Sequence, residues 1–477
     1  MEHIIPISAD VLYSWPEENE KRAEEELKKE RQGFTRKIIV LDDDPTGTQT
    51  VHDVPVYTDW SLETVEEIFQ LPDNMVFILT NSRSFSRAYT KEVHKKIAEN
   101  IACIAKREGK EFLVISRGDS TLRGHFPLET ETLKDVLSQK TGLSFHGEII
   151  CPFFPEGGRY TINNIHYVRE GEQLLPAGQT EFAKDKSFSY QNSHLGAYIE
   201  EKSHGVYTEK ECVYISLEEL RSFSVEQITE KLMHTKEFQK VIVNAISYTD
   251  VKVFCICWLK AMKMGKNFLA RSAAGLTKII GDVSDQPLLD KQSLVEPHVQ
   301  SGGLVIVGSH VKKSTAQLNA LMESEKKLHF IEFNVNRYFE DGSLEDEIYR
   351  VLKEAEDQIQ KGTTVVIYTS RQLIVPDTED KDKILRLSVE ISDSLTEIVH
   401  LLTLKPKFII AKGGITSSDV ATKGLSIRKA MVMGQIRKGI PVWMTGNESK
   451  FPNMPYIIFP GNVGEVTTLK EIVEELD

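Results

Sequence analysis

Three consecutive carboxylates, Asp42, Asp43 and Asp44, open a stretch that continues through Pro45, Thr46, Gly47 and Thr48. Adjacent like charges repel unless a cation or a bound polyol offsets them, so the triplet is a candidate for work on hydroxyl groups. A solvated helix N-cap accounts for one such carboxylate readily and for three poorly. Pro45 fixes its φ, Thr46 adds a hydroxyl, and Gly47 allows a tight turn or close approach of a ligand to the backbone. Two further polar stretches are Thr80-Asn81-Ser82-Arg83-Ser84 and Ser116-Arg117-Gly118-Asp119-Ser120-Thr121-Leu122-Arg123-Gly124-His125. A guanidinium presents a planar pair of donors, so Arg83, Arg117 and Arg123 are candidates to clamp a substrate carboxylate. Asp43, Asp44 or Asp119 could then accept the proton of an attacking hydroxyl or bind polyol hydroxyls. The bland alternative is an Arg–Asp lattice that only holds the loops together. Residues 152–160 carry Glu156, Gly157, Gly158 and Arg159, the last an additional anion contact.

The second half of the chain offers a different chemistry. Lys412-Gly413-Gly414-Ile415-Thr416-Ser417-Ser418-Asp419 combines two glycines with hydroxyl donors where a helix is expected to begin. Backbone N–H groups and the helix N-terminus at such a place favour polyphosphate, which makes this a candidate nucleotide site. Gly308-Ser309-His310 has a related position after a strand, although the segment to Ser314 lacks the glycine that a Walker A motif sets before its lysine. The turn Pro460-Gly461-Asn462-Val463-Gly464-Glu465 could line the same site, and Gly434 could face a nucleotide or only permit packing.

These loops need strands to position them. Lys37 to Leu41 reads as a strand with neither face polar, the mark of a parallel sheet covered by helices on both sides. The pattern recurs at Met75 to Leu79, Phe112 to Ile115, Gly147 to Ile150 and Val241 to Val243, with amphipathic stretches such as Glu92 to Arg107 between. A second series runs through Leu304 to Val307, His329 to Phe333, Thr364 to Tyr368, Lys407 to Ile410 and Tyr456 to Phe459. The expected fold is therefore α/β with two domains, each a mostly parallel sheet flanked by helices, and an active site in the cleft between them. The boundaries expected are a charged N-terminal extension over 1–36, a substrate domain over 37–281, a linker over 282–303 and a nucleotide domain over 304–477. Glu17 to Arg31 reads as a solvated or a partner-binding helix, with a surface extension favoured, and 165–207, rich in Gly, Gln, Ser and Asn, as an irregular excursion on the first domain.

Composition limits the function classes. A 477-residue chain with 40% hydrophobic and 27% charged residues has the balance of an ordinary globular protein. Its formal charge of −13 argues against general nucleic-acid binding. Five cysteines without a CxxC pair indicate neither a disulfide framework nor a zinc site. No signal pattern and no membrane-length apolar run is seen, so a cytoplasmic enzyme without membrane or nucleic-acid partners is expected.

The ordered set Asp43-Asp44-Pro45-Thr46-Gly47, Asp119-Ser120-Thr121-Leu122-Arg123-Gly124 and Lys412-Gly413-Gly414-Ile415-Thr416-Ser417 resembles the four-carbon acid sugar kinase family. Gly308-Ser309-His310 and the Pro460 to Gly464 turn extend the resemblance over nearly the whole chain. It implies an acid-sugar domain, an ATP domain and transfer of the γ-phosphoryl to the terminal hydroxyl of threonate, erythronate or an oxo-tetronate, with Mg²⁺ bridging phosphate oxygens. The resemblance places Asp43, Asp44, Ser82, Arg83, Asp119, Ser120 and Arg123 around the acid sugar, with Thr46 and Arg159 added from the residues themselves. It places Ser309, Gly413, Gly414, Thr416 and Ser417 at the nucleotide, with Gly461 and Gly464 nearby. Asp43 or Asp44 is the expected base; the Mg²⁺ ligands are unassigned, and a homo-oligomer is compatible with the sequence. Where family members typically show Thr-Gly-Ala followed by an Asp, this chain has Thr46-Gly47-Thr48-Gln49-Thr50, and Arg117 replaces a lysine, which leaves the sugar open. A non-catalytic sugar-acid sensor and a kinase for another small hydroxy acid are the alternatives. A dehydrogenase is disfavoured because no GxGxxG follows any strand.

Overall fold

The computed structural model describes residues 4–13, 15–308, 311–341, 343–371, 381–461 and 463–477. Two compact units are present: unit 1 comprises Met1–Thr50 and Asp59–Ser284, and unit 2 comprises Val51–Thr58 and Asp285–Asp477.

Unit 1 is built on a parallel sheet. Its strands run in the order Val213–Ile215, Gln239–Val243, Gly147–Cys151, Phe268–Ser272, Phe112–Arg117, Lys37–Asp42 and Met75–Leu79. Every neighbouring pair is parallel. Lys37–Asp42 is buried along its whole length, as a strand covered on both faces must be. Among the covering helices is Arg87–Glu108, where Ser86 caps the Tyr89 N–H at 3.3 Å and Gly109 ends the helix at φ +62°. The strand Phe268–Ser272 lies at the centre of the sheet although the sequence did not mark it.

One expectation for unit 1 is refined and one corrected. The helix Glu17–Arg31 is a surface helix with one face packed: Ala23 and Leu27 bury against Tyr248–Lys263 while most of its other residues stay exposed. Nearby, Trp15 donates its indole N–H to the buried Asp250 at 2.8 Å. The excursion over 165–207 contains regular structure: Ile7–Ser8, Gln173–Pro176, Ile165–Glu170 and Arg159–Ile162 form a small antiparallel sheet, followed by the helix Leu195–Lys202.

Unit 2 has a mixed sheet. The parallel part is His329–Phe333, Val365–Thr369, Leu304–Val307, Ile409–Lys412 and Pro455–Phe459. It continues antiparallel through Ile440–Thr445, Lys429–Arg437 and Val54–Tyr57. Residues 51–58 thus belong with unit 2 because Val54–Tyr57 pairs with Lys429–Arg437. The strand expected at Lys407 to Ile410 lies two residues later, so Lys412 is the last residue of a strand rather than the first of a loop. Leu289 donates its N–H to Gln435 O and Leu294 joins the apolar core of unit 2, which ties part of the 282–303 stretch to that unit. The five cysteines are all unbridged. Among the described residues, no helix is long and apolar enough to cross a membrane.

Candidate active site

Adjacent parallel strands of unit 1 end level with one another: Asp42 is in register with both Leu79 and Arg117, and Ser272 with Arg117. That register brings the polar loops after four strands to one end of the sheet, where ligands of such folds bind. It also decides how the acidic triplet divides.

Asp42 and Arg117 are cross-strand neighbours, and the Arg117 guanidinium donates to Asp42 Oδ1 at 3.2 Å. Burial nevertheless pushes the Asp42 carboxyl up to about 7 against the pull of Arg117. A Cβ at Gly47 would overlap this carboxylate, so glycine is required there. Asp44 is the opposite case. Burial opposes its ionisation, but the Arg83 guanidinium and the hydroxyl and N–H of Thr46, at 2.5 and 2.8 Å, together hold its carboxyl below the usual range.

Asp43 is held more loosely. Its side chain is 2% exposed, neither carboxylate oxygen accepts a hydrogen bond among the described residues, and its ion pair is a long one, to Arg117 at 3.7 Å. Burial raises its pKa, opposed in turn by Arg83, Arg271 and Arg117 at longer range. An unsatisfied buried carboxylate is costly, which makes Asp43 a candidate functional group.

The arginines are also differentiated. Arg83 pairs with Asp44 and lies 3.3 Å from Asp119 Oδ1. Arg123 Nε donates to Asp119 Oδ2 at 2.8 Å and approaches Asp185 at 3.7 Å. Burial resists ionisation of Asp119, yet Arg123 and Arg83 hold its carboxyl well below the usual range. Arg159 stands over the Phe182 ring at 5.4 Å, as Arg123 does at 5.2 Å, but Arg159 makes no ion pair among the described residues and its buried Nε has no acceptor. Half-buried and without an ion pair among the described residues, its guanidinium is available for an anion.

Behind these groups Ser82 and Ser116 are tied to two residues the sequence reading missed, Glu129 and Arg271. Ser82 donates to Glu129 Oε1 at 2.5 Å, and Arg271 bonds both Glu129 and the Ser116 hydroxyl. Burial would raise the Glu129 carboxyl, but Arg271 foremost holds it down to about 2. A Cβ at Gly118 would strike the Arg271 guanidinium, and one at Gly124, where φ is +121°, would lie 2.7 Å from Arg271 and 3.4 Å from Asp43 Oδ2. Arg271 follows Phe268-Leu269-Ala270 at the carboxyl end of a strand, the position that singled out the other loops, but that strand is weakly marked in the sequence. The loop Asp119–Gly124 is held from outside by residues of the 165–207 segment. His166 Nε2 donates to Ser120 O, Tyr190 to Thr121 O and Tyr198 to Leu122 O, each at 2.7 Å. These bonds fix Leu122 at φ +68°, a conformation that side chains adopt rarely.

In unit 2 the glycine loops converge through specific bonds. Lys412 is fully buried and its ammonium donates to Pro460 O at 2.7 Å and Gly461 O at 3.2 Å, over the Phe459 ring at 3.9 Å. Burial, reinforced by Lys313, lowers its pKa to about 7. Gly413 has φ +126°, and a Cβ at Gly308 would sit 2.5 Å from Thr416 Oγ1, so the two strand-end loops touch. Ser314 donates to Gly461 O at 3.3 Å, and Gln317 holds Val463 O and Glu465 O at 3.1 and 2.8 Å.

Gly413, Gly414, Thr416, Gly461 and Gly464 are thus gathered at one end of this sheet. Ser417 is not presented there by its side chain: it is buried and its hydroxyl donates to Ala411 O and Gly413 O. Ser309 lies outside the described residues, with His310 and Asn462. Gly434 sits at a bulge in Lys429–Arg437 with φ +126° beside Gln286.

Comparison with protein families matches a sugar-binding N-terminal domain over residues 38–280 and a nucleotide-binding C-terminal domain over residues 304–469. The chain belongs to the four-carbon acid sugar kinase family. In this family member the carboxylate–arginine cluster falls inside the sugar-binding match and the glycine loops inside the nucleotide-binding match. Two solved structures share the fold. A Haemophilus influenzae protein of the DUF1537 family aligns with TM-score 0.60 at 16% identity, over 91% of this chain and 99% of its own. A Salmonella typhimurium LT2 protein provisionally named a tRNA synthase aligns with TM-score 0.63 at 16% identity, over 91% of this chain and 97% of its own. At such identities the likeness is one of fold. No curated protein matches the sequence.

Proposed function

We propose that this family member is an ATP-dependent kinase that phosphorylates the terminal hydroxyl of a four-carbon acid sugar of the threonate, erythronate or oxo-tetronate type. The observation that carries this reading is Asp43: a buried carboxylate, raised in pKa, with neither oxygen hydrogen-bonded and only a long contact to Arg117, amid arginines that are otherwise engaged. Of the two candidate bases it is the one free to take a proton, since Asp44 is held ionised by Arg83 and Thr46 and is a weaker base for it.

In this reading Arg159 receives the acid group of the sugar, and Arg83 and Arg123 fix Asp44 and Asp119 so that these carboxylates accept from the remaining hydroxyls. Asp43 takes the proton of the terminal hydroxyl as its oxygen bonds to the γ-phosphorus and the bond to the departing ADP oxygen breaks. Phosphoryl transfer asks the protein chiefly for positioning and charge neutralisation, which suits short loops without a nucleophile triad. The backbone of Gly413, Gly414 and Gly461 suits a polyphosphate, because glycines after the strands, Gly413 among them at φ +126°, let a ligand approach the main chain closely. Among the described residues no group of three His, Cys, Asp or Glu side chains is placed to hold a metal. Mg²⁺ would arrive on the nucleotide and neutralise phosphate charge.

The test is ADP release with Mg²⁺-ATP against a panel of four-carbon aldonates and oxo-acids, beside an ATP-only control. Turnover on a member of the panel that Asp43→Asn abolishes supports the reading; silence across the panel, or turnover kept in Asp43→Asn, overturns it.

A further inference from the structure

A second polar cavity of unit 1, about 670 Å³, lies beside the cluster just described and shares Arg83 and Gly124 with it. Its walls come from the loop Ser82–Ser84 with the start of helix Arg87–Glu108, from Gly124 to Phe126, from Ser187 to Ser189, and from the end of helix Leu195–Lys202. The charges facing it are unbalanced. Arg83, Arg87 and Lys202 line it with His125 and His204, against a single acid, Glu201. That acid is already engaged, accepting from the N–H groups of Gln191 and Asn192 and from the Asn192 amide at 2.8 to 3.1 Å. Arg87 makes no hydrogen bond or ion pair among the described residues, and Lys202 reaches only the carbonyl of Ser189 at 3.0 Å. Burial lowers the Lys202 pKa, Glu201 opposes this, and the neighbouring Arg87 adds to it. Arg87 has no acid paired with it and Lys202 has only the already engaged Glu201 nearby, so an anion between the two cations would stabilise both.

The other lining groups fit one kind of anion. Ser84, Ser86, Ser187 and Ser189 supply hydroxyls. The first turn of the 22-residue helix is capped by Ser86 but carries no acidic residue, where acids are ordinarily favoured, so no charge offsets its positive end. Guanidinium, ammonium, hydroxyls and a helix start are the donors that tetrahedral oxyanions take. The cavity is too large for a lone phosphate and is within the range that holds small organic ligands, roughly 300–1,000 Å³.

We propose that this cavity binds the phosphate group of a small phosphate monoester, with Arg87 and Lys202 as its principal contacts and Arg83 at its inner edge. Because Arg83 also holds Asp44 and Asp119, the bound ester draws on the same guanidinium that orders the acceptor site. The chemistry admits two sources, a phosphorylated product of the reaction or a separate sugar phosphate.

Titration calorimetry on the full chain decides the matter without turnover, so its outcome is independent of the kinase reading. The probes are inorganic phosphate, 3-phosphoglycerate, glycerate and 4-phosphoerythronate. The expected result is that both esters bind at least roughly tenfold more tightly than glycerate, and that Arg87→Glu with Lys202→Glu removes roughly tenfold or more of that affinity. Preference for 4-phosphoerythronate over 3-phosphoglycerate identifies a product site; equal binding, or preference for 3-phosphoglycerate, identifies a separate sugar phosphate. A circular dichroism spectrum matching the wild type guards against misfolding, and Arg87→Gln with Lys202→Gln provides a milder second variant. Equal binding of glycerate and the esters, no binding of either ester at millimolar concentration, or unchanged ester affinity in both double variants overturns the proposal.

Discussion

In unit 1 the candidate ligand groups are side-chain charges set at the ends of adjacent parallel strands, and nearly every one has a named partner. In unit 2 they are mostly backbone groups at glycines, supported by a single buried lysine. The first arrangement works by leaving one member out: Asp44, Asp119 and Glu129 are each held ionised by an arginine, while Asp43 is left without a hydrogen bond. The second works by removing side chains, so that carbonyls and N–H groups can be approached. A substitution in unit 1 should therefore act through charge and in unit 2 through shape.

The largest expected effect follows from the carboxylate without a hydrogen bond. Asp43→Asn is expected to lower kcat by about 10²–10⁴-fold with little change in thermal stability, measured by ADP release and a melting curve. Asp44→Asn should show the reverse emphasis. It leaves the Arg83 cation without its principal partner and should lose somewhat less than the ~3–5 kcal/mol of a fully buried pair, read by urea unfolding. The sign with pH follows from the depressed carboxyl: the stabilisation from Asp44 is present above the ordinary carboxylate range, near pH 4, and is lost as the pH falls below it. A wild-type and Asp44→Asn pair whose stabilities stay equally far apart from pH 7 to pH 2 would break this contrast.

Removing the available guanidinium should act on binding. Arg159→Ala is expected to raise KM for the acid sugar by roughly 10–100-fold while leaving KM for ATP alone. Gly413→Ala is the complementary change in unit 2: a left-handed φ costs an alanine roughly 1–2 kcal/mol, so nucleotide affinity should fall about tenfold by calorimetry without a charge having been altered.

The smallest effect sharpens the comparison at Lys412. Its folded pKa, near 7, lies below that of an unfolded lysine, so the unfolded chain binds the extra proton between about pH 7 and pH 10. Stability attributable to Lys412 should therefore rise with pH through that window, and Lys412→Met should flatten the slope of Tm against pH. Nucleotide binding near pH 8 should take up a fraction of a proton in the wild type and none in Lys412→Met, seen as a buffer-dependent heat.

Much of this was legible because the strands that carry the acidic loops are continuous apolar runs. Ile38-Ile39-Val40-Leu41 and Val76-Phe77-Ile78 have no other reading at that length, and the polar residues after them had to lie at one end of the sheet. Phe268-Leu269-Ala270 was too short and too weak in β-branched residues to stand out, so Arg271 went unnoticed until its neighbours Ser116 and Glu129 were in view. The antiparallel hairpin of Lys429–Arg437 and Ile440–Thr445 was missed for another reason: its first strand alternates buried and half-buried residues, a period-two signal unlike the runs that marked the rest. The division of labour within Asp42-Asp43-Asp44 was beyond any one-dimensional reading. It depends on Arg117 arriving in register from one strand and Arg83 from a loop after another.

The excursion of Val51–Thr58 has a consequence for how this protein can be taken apart. The chain passes from one unit to the other at three places, 50/51, 58/59 and 284/285, so neither unit is a contiguous stretch of sequence. A gene cut at residue 284 would deprive the distal fragment of the strand that completes its sheet beside Lys429–Arg437, exposing a pairing edge to any passing chain. Domain exchange between relatives would have to carry two segments together, and a synthetic peptide spanning 51–58 should rescue the solubility of a fragment that begins at 285.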